Sequence, residues 1–271
     1  MSTHDPKGSS SDSLSRKQRR AAERTARKGS RSVPSGGSSP GSGPSMFLIS
    51  LGAVLIGLVA VAALVVISGG FGDDAEAAAV SRPEVPAPAQ ELRQGRTLVR
   101  PGVTPPVTID AYEDPQCPAC GVFTERIEPL IIAEHVETGT ASFTYNDFVF
   151  LGDESWNAAI AMRVAEDMGG KFWDYHQALF HNQSGENAGG FTHERLADIA
   201  ELVDLDREEF LERMSDPAYR EAVEAENAVA RELSVNSTPT VIVNGELVRG
   251  VPEWEDLDAI IRAAAQAATG S

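Results

Sequence analysis

The chain has 271 residues and a formal net charge of −17, but the charge is divided. Residues 1–45 hold nine Lys/Arg against three acids, which leaves −23 on the remainder. An acidic body repels phosphates, so nucleic acid is excluded as its partner.

The first segment, 1–45, is rich in Ser, Gly, Arg and Pro and nearly free of bulky apolar residues. It cannot bury enough surface to offset its chain entropy and is expected to be a disordered basic tail. Its run "RKQRRAAERTARK" lacks an aromatic platform or a base-reading motif, so topogenic charge and attraction to anionic lipid are its expected roles. Met46 to Ile67 then gives 22 uncharged residues, enough for a helix across a ~30 Å hydrocarbon layer. A cleaved signal would have a shorter apolar core, although Ala75–Ala77 offers small residues near a cut. We read residues 46–71 as an uncleaved transmembrane anchor in contact with the lipid bilayer. The basic flank puts the N-terminus in the cytoplasm and the body outside.

Residues 72–106, with "SRPEVPAPAQ" and "RPGVTPP", are Pro- and Ala-rich and lack sustained apolar periodicity, which predicts a semi-extended linker. From Val107 the text becomes globular, and 107–271 suffices for one core. "VTIDAY" (107–112) predicts a strand running straight into the cysteine pair. Val122, Ile127, Leu130 and Ile131 follow at helical spacing, with Pro129 set to kink or end that helix. Residues 141–150 predict a second strand. A helical block over about 152–232 comes next, with apolar stripes from Trp156 to Met168, Phe172 to Leu179 and Leu196 to Val203. Asp206 with Glu209 reads as a capping box, and Asp216-Pro217 as an N-cap followed by proline. Two strands, 240–243 and 246–249, joined at Asn244-Gly245, predict a tight hairpin before a closing amphipathic helix. The order is that of an α/β domain with a helical insertion.

Cys117 and Cys120 are the chain's only cysteines, in "DPQCPAC". A zinc site normally needs a second pair or spaced histidines, and His135, His176, His181 and His193 lack that spacing, so no metal is expected. Haem attachment requires His where Gly121 stands. A structural disulfide usually closes a long loop, and two intervening residues remove little loop entropy. Reversible thiol–disulfide exchange remains, in which the second sulfur must reach a mixed disulfide quickly. A strand followed by a helix places Cys117 at a helix N-terminus, where unpaired N–H groups and the dipole favour a thiolate. Pro118 suits the first turn, and Cys120 lies one turn deeper.

With these residues in place the chain resembles the thioredoxin-fold proteins of the DsbA type, and is similar to their membrane-anchored bacterial branch, written "DFxCPxC…TPTxxxNG". Here the second motif is "STPTVIVNG", and "KFWDYHQALFHNQ" (171–183) matches a helical-insert signature of that branch. The resemblance covers Val107 to Ala267. It implies a thioredoxin-like fold with a helical insertion, a cis-proline at Pro239 preceded by Thr238, and positioning of the substrate chain by these two residues. It implies catalysis by Cys117 and Cys120 with no bound cofactor, exported proteins with free thiols as substrates, and reoxidation by a quinone-linked membrane protein. Two departures matter. The third motif residue is Ala119 where the best-known members carry His, and Glu113 and Asp114 lie close by. Both predict a thiol less depressed in pKa, and a weaker oxidant, than the strongest members. Of the acid that many such domains bury below the resolving cysteine, Asp110 is the candidate, although its offset fits a structural role as well.

Phe123, Phe172, Trp173 and Phe180 are expected in the core rather than along a substrate groove, and the histidines as packing or surface residues. The expected function is a disulfide-donating oxidase outside the cytoplasm. Its rivals are a reductase or isomerase of the same fold and a tethered binding module with an inert cysteine pair.

Overall fold

The computed structural model describes residues 78–270, and in it the sheet begins earlier than the sequence predicts. The basic tail (1–45) and the anchor (46–71) lie outside the described residues, among which no helix is long and apolar enough to cross a membrane. After a 3₁₀ turn (Gln90–Leu92), β1 (Arg93–Gln94) and β2 (Thr97–Leu98) form a small hairpin. β2 pairs antiparallel with β4 (Ala141–Asp147), Leu98 opposite Phe143. Leu92 and Leu98 are buried, and Arg93 meets Asp174 at 2.6 Å. Residues 90–99 therefore belong to the domain, not to a linker over 72–106. Strands of two residues show no alternation, so no periodicity could reveal them. Leu98→Ala is expected to lower stability by about 2–3 kcal/mol in urea unfolding, where a residue on a free tether would change it by under ~0.5.

The centre of the sheet is β3 (Val107–Glu113), parallel to β4 from Val107–Ala141 to Glu113–Asp147 and antiparallel to β5 (Thr240–Val243). β6 (Glu246–Arg249) closes the order β1-β2-β4-β3-β5-β6. Asn244 and Gly245 both have positive φ, 47° and 93°, as the predicted primed hairpin turn requires. The crossover from β3 to β4 runs through α1 (Pro118–Arg126), α2 (Glu128–Ile131) and a π-helical segment (Ile132–Val136). The break falls at Ile127, just before Pro129, whose missing N–H cannot continue the helix ladder. Val122, placed on the apolar stripe of this helix, is instead 39% exposed.

The insertion comprises α3 (Asp153–Asp167), α4 (Phe172–His181), α5 (His193–Leu202), α6 (Arg207–Met214) and α7 (Pro217–Glu232). Asp206 accepts from Glu209 N at 2.9 Å and Asp216 from Ala218 N at 2.9 Å, so both N-caps form, while the Glu209 carboxylate accepts from Arg213 instead of closing the predicted capping box. The chain closes with α8 (Trp254–Thr269). Phe123, Phe172, Trp173 and Phe180 are all buried and fill the core between sheet and insertion. β4 stops at Asp147, short of the predicted Phe150, because the next backbone groups pair elsewhere: Phe148 N with Glu113 O, and Phe150 N with the Asp114 carboxylate.

Candidate active site

The site starts where β3 ends. Asp114 Oδ1 accepts from Gln116 N (2.9 Å) and Ser155 Oγ (2.6 Å), and Oδ2 accepts from Phe150 N (2.8 Å) and Leu151 N (3.1 Å). One carboxylate thus ties the loop after β3 to the loop after β4 and to α3, and it is committed to these donors rather than set against Cys117. The loop delivers Cys117 as the N-cap residue of α1, with Pro118 at the first helical position. Cys120 N and Gly121 N donate to Cys117 O at 3.0 and 3.2 Å, so the two cysteines bracket the first turn. Pro118 is exposed and Ala119 half-buried; Cys117 is 8% exposed and Cys120 fully buried.

Thr238 and Pro239 come to the same place from 121 positions away. Their peptide bond is cis, and Cys117 Sγ donates to Thr238 O at 3.5 Å. Thr238 Oγ1 is buried without a hydrogen-bond partner among the described residues. All six motif residues named from the sequence (Cys117, Pro118, Ala119, Cys120, Thr238 and Pro239) are therefore adjacent.

Their electrostatics separate the two sulfurs. Cys117 is lowered to about 6, first by the hydrogen bond from Cys120 and then, against the opposing effect of burial, by Thr238 and the backbone N–H groups of Cys120 and Ala119. Cys120 is pushed well above its ordinary value, first by burial, then by its bond to Cys117 and the neighbouring charge of Glu113. Cys117 is thus the more acidic sulfur, able to give up the proton it shares with Thr238 O, and Cys120 the one that keeps its proton.

The acid beside Cys120 is Glu113, not Asp110. Side chains alternate along β3, so Asp110 lies on the opposite sheet face, while Glu113 shares the face of Ile109 and Ala111 that α1 covers. Glu113 is fully buried, accepts from Thr124 Oγ1 at 3.4 Å, and is raised well above the ordinary carboxyl range by burial and then by Glu128. Glu128, also fully buried, accepts from Gln177 Nε2 at 2.8 Å and is pushed up to about 8 by burial. His176 faces it, Nε2 to Oε2 3.8 Å, and burial lowers its imidazole to about 3. Donor atoms of Glu113, Glu128 and His176 converge within 4.8 Å. A cation would have to displace the protons that burial favours on both carboxyls. We read the cluster as one that holds protons. Sequence reasoning missed Glu128 and His176 because they sit on apolar stripes, and it noted Glu113 only as a nearby charge.

Gln183, at the end of the quoted 171–183 segment, was also missed. Its Nε2 donates to Pro115 O (2.7 Å) and Cys117 O (3.1 Å), buttressing the cysteine turn. A Cβ at Gly121 would lie 2.4 Å from Gln183 Oε1, so glycine there leaves room for this contact.

Comparison with known proteins agrees with this geometry. The family described as Thioredoxin matches residues 103–263, more than half of the chain. "Disulfide bond formation protein D" of Bacillus subtilis is 27% identical over 158 residues, covering 58% of this chain and 71% of that protein. A thioredoxin-like oxidoreductase from Silicibacter pomeroyi superposes with a TM-score of 0.52 at 29% identity, covering 62% of this chain and 90% of that one. Oxidised BdbD from Bacillus subtilis superposes with a TM-score of 0.59 at 23% identity, over 69% of this chain and 100% of that one, a likeness of fold. The chain belongs to the thioredoxin family, as a thiol–disulfide oxidoreductase of the DsbA type.

Proposed function

We propose that the chain is a membrane-tethered, extracytoplasmic oxidase that donates the Cys117–Cys120 disulfide to exported proteins with free thiols. The single observation that carries this reading is the division between the two sulfurs at the start of α1: Cys117, 8% exposed and acidic, and Cys120, fully buried and held as a thiol. A substrate thiolate attacks Cys117 Sγ, the Cys117–Cys120 bond breaks, and Cys120 leaves and takes a proton from Glu113. A second substrate thiolate then attacks the substrate sulfur of the mixed disulfide, and Cys117 departs as a thiolate. The low pKa of Cys117 makes it the better leaving group and stabilises the reduced enzyme, which favours donation over reduction. Thr238 and Pro239 hold the substrate chain beside Cys117 by backbone pairing, as in strand addition. Residues 46–71 anchor the protein in the bilayer with the N-terminus cytoplasmic, and a quinone-linked membrane protein restores the disulfide.

The test is oxidative refolding of reduced ribonuclease. The oxidised full-length chain is expected to restore nuclease activity, and Cys117→Ala to restore none above background. Equal recovery with the two proteins would sink the proposal in favour of an inert module.

A further inference from the structure

Although the acid cluster is sealed, one of its hydrogen-bond partners on each side reaches open space. Thr124, the donor to Glu113, and Gln177, the donor to Glu128, both line a cavity of about 230 Å³. Pro83, Glu84, Glu125 and His181 line it as well. Gln177 also lines a second cavity of about 270 Å³, together with Val85–Ala89. Each is far larger than the roughly 10–15 Å³ one water needs. On the inner side, Glu113 Oε1, Glu128 Oε2, both His176 nitrogens and Tyr145 Oη have no hydrogen-bond partner among the described residues. Buried polar atoms left unmet are costly, and their convergence beside a sulfur that must gain and lose a proton calls for a use.

We propose that the Thr124 hydroxyl is the proton connection between Glu113 and the cavity that residues 83–85 line, with Gln177 as the positioning residue that holds Glu128 against the cluster. The inference rests on the exchange chemistry proposed above. When substrate attacks Cys117, the electron pair of the broken S–S bond leaves on Cys120 Sγ, which takes the Glu113 proton. Thr124 Oγ1 passes its proton to Glu113 and takes another from the cavity. The enzyme gains two electrons on the cysteine pair, and one proton from solvent ends on Cys120. Glu128, neutral and adjacent, lowers the cost of the brief Glu113 carboxylate by sharing its own proton. The groups facing Glu113 are Cys117 at the N-cap of α1, Thr124 and Cys120 of α1, Glu128 of α2, Tyr145 of β4 and His176 of α4. No cation stands among them to hold Glu113 ionised.

Single-turnover reduction of the oxidised full-length chain by dithiothreitol, sampled by acid quench and thiol alkylation in H₂O and D₂O between pH 5 and 9, tests this. Thr124→Val, which keeps the shape and removes the hydroxyl, is expected to react ~10-fold more slowly, with a larger solvent isotope effect and a changed pH profile. Thr124→Ser restores all three. Gln177→Met gives the same signature more weakly and serves should the valine variant fold poorly. The route is overturned if the valine and serine variants behave alike, or if any slowing is equal in both solvents with the profile unaltered. A wild-type chain that reacts with dithiothreitol in this pattern yet never oxidises ribonuclease would sink the oxidase reading and leave the route standing.

Discussion

Followed by its ultraviolet thiolate absorbance, the reduced chain is expected to titrate in a step near pH 6 that disappears in Cys117→Ala. With Cys117 at about 6 rather than its ordinary 9.0, roughly nine-tenths of it is thiolate at pH 7, against about one part in a hundred without the shift. The source of the shift is testable piece by piece. The hydrogen bond from Cys120 is the largest contributor, so Cys120→Ala keeps the step but moves it up. Ala119→His is expected to move it down, because a cationic imidazole beside the thiolate supplies the charge that this chain lacks. The sign for stability follows. A thiol depressed in the folded state stabilises the reduced protein fully above about pH 9, and that contribution is lost as the pH falls through about 6. Alkylation of Cys117 by iodoacetamide slows across the same window. A step at the ordinary cysteine value would remove the physical basis for making Cys117 the attacked and leaving sulfur.

What the sequence disclosed was the part written in local chemistry. "VTIDAY" is a strand because its residues are mostly β-branched, aromatic or apolar, and Cys117-Pro118 begins a helix because the first turn has no intrahelical use for the N–H that proline lacks. Asp206, Asp216 and Asn244-Gly245 each carry their geometry in two or three residues, and the structure places all of them as expected. The features missed depend on what lies opposite. β1 and β2 exist because Leu98 meets Phe143 across β4, and no window of ten residues contains that fact. The candidate for the buried acid, Asp110, which also fits a structural role, lies three positions away, and three is an odd number: in a strand it exchanges one face for the other. Counting parity back from Ile109 and Ala111 would have reached Glu113. Glu128 and His176 were harder, since their periodicity marks them as core and only the fold shows that two core positions on different helices close on a third beside Cys120.

That cluster sets the second large expectation, a stability that depends on pH through one carboxyl. The unfolded chain ionises Glu128 near 4.5, and the folded chain only near 8. A group raised in this way contributes its full stability below the unfolded value and loses it as the pH climbs to the folded one. At about 1.4 kcal/mol per pH unit, the loss reaches on the order of 4 kcal/mol by pH 8. Glu128→Gln keeps the carbonyl acceptor for Gln177, keeps the volume, and cannot ionise. Measured by urea unfolding, the variant and the wild type are expected to coincide near pH 4.5 and to diverge steadily in the variant's favour up to pH 8. Two neighbours bend both curves alike. Glu113 adds a loss of the same sign, and His176, depressed from 6.5 to about 3, adds stability above 6.5 that is lost on acidification. The difference between the curves isolates Glu128, and parallel curves would show that it is not held protonated. A gain of this size from one isosteric change means that the chain keeps an unfavourable acid in its core. Such a cost is retained where the site needs the group, and Glu113, which lies between Glu128 and Cys120 and in the proposed cycle hands Cys120 its proton, supplies the need.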